Sequence, residues 1–242
     1  MRGNRPVARA GILALLASVA SGCGGTQNSA VKSADSQAAS AESQPAWTVL
    51  FDGTGTSAWR GYQKPDFPTG WQIVDGALTR VDRGGDIITR DQFGDFELEL
   101  EWKVPPKGNS GIMYRVTEAD SNTYRTGPEM QVLDDAGHID GKNRLTSAGS
   151  AYGLYPAPEG VVKPAGEWNA VKIVARGAHI EHWLNGQKVV EYELWSPDWE
   201  AKVKASKFDA WKGFGRALRG HIALQDHGDR VQFRNIRIRE LK

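Results

Sequence analysis

The sequence has a single cysteine, Cys23, so it can form neither an intramolecular disulfide nor a cysteine-rich zinc site. It also lacks an excess of charge of either sign, because 30 Lys and Arg stand against 29 Asp and Glu. A balanced chain has no basic surface for nucleic acid, and we expect no nucleic-acid partner. No apolar run reaches the roughly 18–20 residues that a membrane-spanning helix requires. The composition therefore argues against disulfide scaffolds, nucleic-acid binders and integral membrane proteins.

Familiar catalytic motifs are absent as well. The sequence has no G-x-S-x-G, no H-E-x-x-H and no phosphate-binding glycine motif. Asp134 and His138 lie in an acidic loop and are candidate ligands for a divalent metal ion, although their spacing fits no EF-hand. The alternative for this loop is an ordinary solvated turn.

The N-terminal residues 1–22 have the pattern of an export signal. A basic start containing Arg2 and Arg9 precedes an apolar stretch, and small residues lead directly to Cys23. This arrangement resembles a bacterial lipoprotein signal, in which the cysteine is lipidated after cleavage. The resemblance implies an exported protein that touches a membrane only through the lipid on Cys23. Because Gly24 follows, we expect an outer-membrane or periplasmic location; the alternative is a plain secretory signal with an incidental cysteine.

Residues 23–45 are rich in Ser, Ala and Gln and contain no aromatic residue. Such a segment cannot bury enough apolar surface to fold, so we predict a disordered tether. The remaining residues, 46–242, are sufficient for one well-buried domain.

Strand patterns recur throughout this domain. Residues 96–102 alternate strictly between apolar and polar side chains, and Asp75-Gly76 and Asn185-Gly186 are typical of tight hairpin turns. We count about ten strands and no strand–helix–strand alternation, which predicts an all-β fold, an antiparallel two-sheet sandwich. Only residues 198–212 have helical spacing, and they predict one short helix.

Two connecting segments, 135–167 and 193–218, are too long for simple turns. Long ordered loops in a compact domain are often functional, so we expect them to border a binding site. Tyr152 and Trp195 lie in these loops and are candidate sugar-stacking residues, because sugars place their apolar faces on aromatic rings.

Side chains alternate between the two faces of a strand, and this alternation selects the polar candidates. Three segments each present polar side chains opposite their apolar ones: Glu129 and Gln131; Asn109 and Arg115, with Met113 between them; and His221, Gln225 and His227. If these strands lie in one sheet, the side chains form a polar surface suited to a hydroxyl-rich ligand. The alternative is a solvated sheet face without function.

Seven motifs in this order resemble the 3-keto-disaccharide hydrolase domain family. They are Leu50–Gly53, Asn109–Gly111, Glu129–Asp134, Gly166–Asn169, His182–Gly186, Gly220–Gly228 and Phe233–Ile236. The resemblance covers about residues 47–241 and implies a concanavalin A-like jelly roll that acts on a carbohydrate substrate.

The chemistry implied by this resemblance is cleavage of a 3-keto-glycoside. A base removes the proton at C2, which the neighbouring ketone acidifies; the enolate expels the aglycone from C1, and water adds to the resulting enone. The resemblance makes Glu129, His138 and His227 candidates for proton transfer and Arg115, or a metal ion, the candidate enolate stabiliser. Three amides would read the sugar hydroxyls: Asn109, Gln131 and Gln225.

Two other classes of function remain open. A non-catalytic, lectin-like carbohydrate-binding protein needs the amides and aromatic residues but no titratable group at the ligand. A structural envelope lipoprotein would need neither. Turnover of a 3-keto-glycoside, compared with binding of the unoxidised glycoside, distinguishes the three.

Overall fold

The computed structural model describes residues 45–242. The predicted signal, the predicted lipidation site at Cys23 and nearly all of the predicted tether lie outside the described residues. Within the part of the chain that is described, no helix is long and apolar enough to cross a membrane.

Within residues 45–242, thirteen strands form two antiparallel sheets, which confirms the predicted all-β sandwich. The larger sheet has the order β11-β10-β9-β6-β13-β4-β3, with β1 also paired to β13, and its strands are β1 (Thr48–Phe51), β3 (Trp71–Val74), β4 (Ala77–Arg80), β6 (Phe96–Lys103), β9 (Asn169–Arg176), β10 (His179–Leu184), β11 (Gln187–Glu193) and β13 (Gln232–Glu240). The smaller sheet has the order β2-β5-β12-β7-β8, from β2 (Trp59–Gly61), β5 (Ile87–Thr89), β7 (Asn109–Val116), β8 (Glu129–Leu133) and β12 (His221–Leu224).

The core lies between the two sheets. In β6 the apolar side chains, such as Leu98 and Trp102, are buried, whereas the alternate glutamates face outward and pair with arginines of β13. The smaller sheet contributes buried residues such as Ile112, Met130 and Ile222 to the same core. Burying each large apolar side chain contributes about 1.5–3 kcal/mol, so this shared core is what holds the sheets face to face.

The other face of the smaller sheet carries a separate, small apolar cluster made of Ile88, Met113, Val116 and Ala223. In the smaller sheet one edge strand is β8, and the segment 147–155 covers this edge by pairing with it as an irregular extra strand. Gly149 N–H donates to Gln131 O at 2.9 Å, and Tyr152 N–H donates to Glu129 O at 3.0 Å. The loop and the edge strand therefore form one hydrogen-bonded unit.

The two predicted hairpins are present. Asp75 and Gly76 have φ of 52° and 70°, and Asn185 and Gly186 have φ of 50° and 84°, as a turn with two positive φ values requires. Strands β2 and β5 were not predicted, because three residues are too few to establish a period of two.

The predicted helix over 198–212 is broken into two pieces. The α-helix, α1, spans Pro197–Lys204, and a 3-10 helix follows at Lys207–Ala210. Ser206 separates them, because its Oγ accepts a hydrogen bond from Phe208 N–H and caps the second piece. Two further 3-10 helices lie in loops, at Thr123–Arg125 and Ile139–Lys142.

Candidate active site

A cavity of about 330 Å³ opens on the outer face of the smaller sheet. Six of its lining residues were predicted from the sequence: Asn109, Glu129, Gln131, Tyr152, Gln225 and His227. Four were not predicted: Tyr124, Lys207, Phe208 and Trp211. Segments 135–167 and 193–218 both contribute to the wall, as expected of the two long loops.

Strand pairing brings the predicted polar side chains together. In the β7–β8 pair, Gly111 lies opposite Gln131 and Met113 lies opposite Glu129, and β12 pairs with the other side of β7. The carboxyl of Glu129 lies across Gly111, since a Cβ added at this glycine would be 2.0 Å from Glu129 Oε1. Any side chain at position 111 would therefore displace the carboxyl.

Three amide side chains in the cavity are buried with atoms that lack a hydrogen-bond partner in the described part of the chain. These atoms are Oδ1 of Asn109, both Nε2 and Oε1 of Gln131, and Oε1 of Gln225. An unsatisfied buried polar group costs about 1–3 kcal/mol, and native folds leave few of them. Several such atoms facing one cavity indicate a site that binds a polar ligand.

Glu129 is the only carboxylate among the described residues that line this cavity. Its carboxyl makes no side-chain hydrogen bond or ion pair within residues 45–242. The side chain is partly exposed where it faces the cavity, and protein atoms surround the rest of it. Burial raises its pKa to about 8; the nearby Lys207 opposes this rise and Asp86 adds to it. Because the proton is held near neutral pH, this carboxyl can exchange it with a bound ligand.

The cavity wall opposite the sheet is aromatic and carries one ammonium group. Lys207 Nζ lies 4.4 Å from the centre of the Tyr152 ring, and the Tyr124 and Trp211 rings lie 5.5 Å apart between centroids. The second long loop, 193–218, supplies Lys207, Phe208 and Trp211, and its length had led us to expect that it borders a binding site. The individual residues were missed because residues 198–212 were interpreted as a single helix.

Arg115 does not lie in the cavity, which corrects its predicted place on this face. The β7–β12 pairing shifts by one residue between His221 and Ala223, and Arg115 has a φ of 52° at this bulge. A bulge inserts one residue and reverses the alternation beyond it. The guanidinium therefore points between the sheets, where it donates to Gly94 O and Gly177 O and contacts Asp95.

His138 and Asp134 do not line the cavity either. His138 Nδ1 accepts a hydrogen bond from Asp140 N–H and caps a 3-10 helix, while Asp134 Oδ2 accepts from Lys107 N–H at 2.7 Å. One atom of each side chain, Nδ1 of His138 and Oδ2 of Asp134, is therefore occupied by a hydrogen bond that shapes the loop. The two residues belong to no group of three metal-ligating side chains in the described chain, so the structure adds no third ligand to the predicted metal site.

Trp195 and His221 also lie outside the cavity. Trp195 Nε1 donates to Gly215 O at 2.7 Å and its ring packs at the margin of the core, so it is a structural residue of the second long loop. His221 is buried at the far end of β12, where its Nδ1 is 2.7 Å from Thr89 O. Burial lowers the pKa of His221.

The described residues contain one group with the geometry of a metal site, and it is remote from the cavity. His179, Glu181 and Glu191 bring ligand atoms within 4.8 Å of one another on strands β10 and β11. Lys188 Nζ lies 3.3 Å from Glu181 and 2.5 Å from Glu191, so an ammonium group already balances these carboxylates. The group is a partly exposed ion-pair network.

The sequence of the chain matches a known protein family. Residues 46–239 match the family described as the 3-keto-alpha-glucoside-1,2-lyase-like domain. A relative named 3-keto-disaccharide hydrolase, from Bacteroides thetaiotaomicron, is 38% identical over 227 residues, which cover 81% of this chain and 78% of the relative.

Solved structures agree with this match. A crystal structure of a candidate glycosyl hydrolase from Parabacteroides distasonis is 31% identical and superposes with a TM-score of 0.75, covering 81% of this chain and 94% of the other. A second candidate glycosyl hydrolase from the same organism is also 31% identical, with a TM-score of 0.64, covering 81% of this chain and all of the other. These neighbours support the all-β jelly-roll sandwich.

Proposed function

Since the chain belongs to the family of 3-keto-alpha-glucoside-1,2-lyase-like domains, we propose that it cleaves the glycosidic bond of 3-keto-disaccharides, as a hydrolase or a lyase. One observation within the cavity carries the proposal: a single deep carboxyl, Glu129, is surrounded by amides whose polar atoms have no protein partner in the described chain. The amides suit the hydroxyls of a sugar, and the carboxyl suits proton transfer.

In the proposed reaction Glu129 is the base. The ketone at C3 acidifies the C2 proton, and Glu129 takes this proton to leave an enolate. The enolate expels the leaving oxygen from C1 and becomes an enone, which is the product of a lyase. Addition of water completes a net hydrolysis: the water oxygen joins C1, the proton on Glu129 returns to C2, and the proton that the water gives up replaces the one taken up by the departing oxygen.

Lys207 is our candidate for stabilising the enolate, in place of Arg115. It is the only lysine or arginine among the described residues that line the cavity. An ammonium group near the C3 oxygen stabilises the negative charge that develops there, and in a partly water-excluded site this effect is larger than in bulk water. Asn109, Gln131 and Gln225 would hold the remaining hydroxyls, with the Tyr152 ring as a stacking wall. No step of this scheme requires a metal ion.

A lectin-like protein remains the competing function, because unpartnered amides and aromatic rings would also serve simple binding. The deep position of Glu129 favours catalysis. A carboxyl with a pKa raised to about 8 by burial is costly to keep, and lectin binding gives it no role.

The decisive experiment compares a 3-keto-disaccharide with the same disaccharide before oxidation, using wild type and Glu129→Gln. We expect wild type to turn over only the ketone, and Glu129→Gln to lose about 10²–10⁴ in kcat because it keeps the shape but cannot accept the proton. Circular dichroism should show an intact fold. His138→Gln is the matched control, because His138 lies outside the cavity, and it should retain turnover.

Two results would contradict the proposal. Binding of both sugars without turnover of either would identify a lectin. Near-normal turnover by Glu129→Gln would show that another group is the base.

A further inference from the structure

A second cavity, of about 310 Å³, adjoins the first. The two share three lining residues, Tyr124, Gln225 and His227, so these side chains stand at the junction. Each cavity alone is at the lower limit of small-molecule sites, about 300 Å³. Together they form one groove with two compartments, which suits a ligand made of two units of similar size.

Part of the wall of the second cavity consists of polar groups that are already hydrogen-bonded within the protein. The carboxyl of Asp86 accepts hydrogen bonds from Asp226 N–H and from the Thr123 hydroxyl, and the Tyr62 hydroxyl donates to Asp120 O at 2.7 Å. These groups are satisfied within the protein. They shape the cavity, and the ligand must be recognised by other side chains.

The groups available to a ligand are neutral amides, an ammonium and an aromatic ring. Asn122 precedes the 3-10 helix at Thr123–Arg125, but its side chain makes no capping hydrogen bond. Within residues 45–242 its amide donates only to the Ser121 hydroxyl, at 3.0 Å. Lys64 is exposed, with Nζ 3.4 Å from Gly84 O. Together with the Tyr124 ring, this set suits a neutral polyhydroxyl ligand.

We propose that the second cavity is the leaving-group subsite, which holds the unoxidised sugar ring of the disaccharide. This inference rests on the proposed function. Glu129 lines only the first cavity, so the C2 proton and the keto ring must lie there. The glycosidic oxygen then lies at the junction, beside His227.

This placement assigns the acid as well as the subsite. His227 is exposed, and its ring has no hydrogen-bond partner within residues 45–242. As the enolate electrons form the C1=C2 bond and restore the C3 carbonyl, the C1–O bond breaks and the departing oxygen takes a proton from the His227 imidazolium. The neutral imidazole then accepts a proton from the water that adds to C1, so that both catalytic groups return to their starting states.

The test is a ratio of kcat/KM for two substrates, a 3-keto-disaccharide and the methyl 3-keto-glucoside, which has no second ring. Asn122→Trp places a large ring in the second cavity and should lower the ratio at least tenfold. Asn122→Ala removes only the amide and should lower it about threefold. Gln72→Trp adds the same ring at an exposed position on β3 that lines neither cavity, and it should leave the ratio unchanged.

The acid is tested with a second pair of substrates. His227→Gln should reduce kcat for the 3-keto-disaccharide at least tenfold more than for a 4-nitrophenyl 3-keto-glucoside, because a nitrophenolate leaves without protonation. Equal losses on both substrates would overturn the assignment of His227 as acid.

The outcomes separate the subsite from the function. If wild type cleaves both 3-keto substrates and Asn122→Trp changes neither rate, or both equally, the subsite is wrong while the function stands. If wild type cleaves neither, the proposed function is wrong and the subsite is refuted with it. Thermal unfolding of each variant shows that the ratios come from folded protein.

Discussion

Glu129 links the chemistry of the site to the stability of the fold. Burial raises its pKa from the usual value of 4.5 to about 8. A carboxyl whose folded pKa lies above its unfolded value contributes stability below about pH 4.5, and this contribution is lost as pH rises toward 8. Each pKa unit corresponds to about 1.4 kcal/mol, so the effect is on the order of a few kcal/mol.

We therefore expect Glu129→Gln to be more stable than wild type at pH 9, with the difference shrinking toward pH 5. Urea unfolding at several pH values measures this. Glu159→Gln, which changes an exposed loop carboxyl, is the control and should follow the wild-type curve. A Glu129→Gln curve parallel to wild type at every pH would mean that Glu129 ionises as freely as a surface carboxyl.

Lys207 tunes the same carboxyl, because its positive charge lowers the pKa of Glu129. If the base must be ionised, kcat/KM rises with pH as Glu129 loses its proton. Lys207→Met should move this rise to higher pH and also reduce the maximum of kcat/KM, whereas Lys207→Arg should keep the rise near its wild-type position. The measurement is a pH profile of kcat/KM for all three proteins. If the rise were unshifted in Lys207→Met, Lys207 would not influence the ionisation of Glu129.

At the scale of the strand, the position of the Glu129 carboxyl against β7 depends on Gly111. A Cβ at this position would lie 2.0 Å from Glu129 Oε1, and the nearest atoms all belong to that one side chain. Because the end of a glutamate side chain can move, Gly111→Ala should displace the carboxyl more than it unfolds the sheet. We expect kcat to fall at least tenfold, with a smaller relative loss of stability.

Gly55→Ala is the matched control, because a Cβ at Gly55 meets nothing within 4 Å. It should leave kcat unchanged. If Gly111→Ala retained wild-type kcat, the carboxyl would not need the position in which β7 holds it.

The alternation of side chains predicted most of the polar face because β7 and β8 are regular where Asn109, Glu129 and Gln131 lie. The prediction failed at Arg115, because a single-residue bulge reverses the alternation there and no pattern in the sequence predicts that bulge. Lys207 and Trp211 could not be assigned to the site for a different reason. Their contacts with Tyr152 and Tyr124 join distant parts of the chain, and local patterns do not contain such contacts.

Across the whole molecule, the two sheets are joined beneath the site by buried polar side chains. The Tyr114 hydroxyl, from the smaller sheet, contacts Tyr192 and His182 of the larger one. Burial lowers the pKa of His182 to about 4, so its ring is neutral at pH 7 and can donate from Nδ1 to Gly149 O at 3.1 Å. Gly149 in turn pairs with Gln131. The larger sheet thus supports the loop that lines the cavity.

The chain before residue 45 gives the last prediction. We propose that Cys23 is lipidated and anchors the exported protein to the cell envelope, since two or more acyl chains hold a protein stably on a membrane. In bacteria, wild type should take up labelled palmitate and sediment with membranes, whereas Cys23→Ser should remain unlabelled and leave the membrane fraction. The fragment 45–242 should retain kcat/KM within about twofold, because every residue that lines the two cavities lies in it. Unlabelled wild type would instead indicate a plain secretory signal, and a large loss of activity in the fragment would mean that the N-terminal segment takes part in substrate binding.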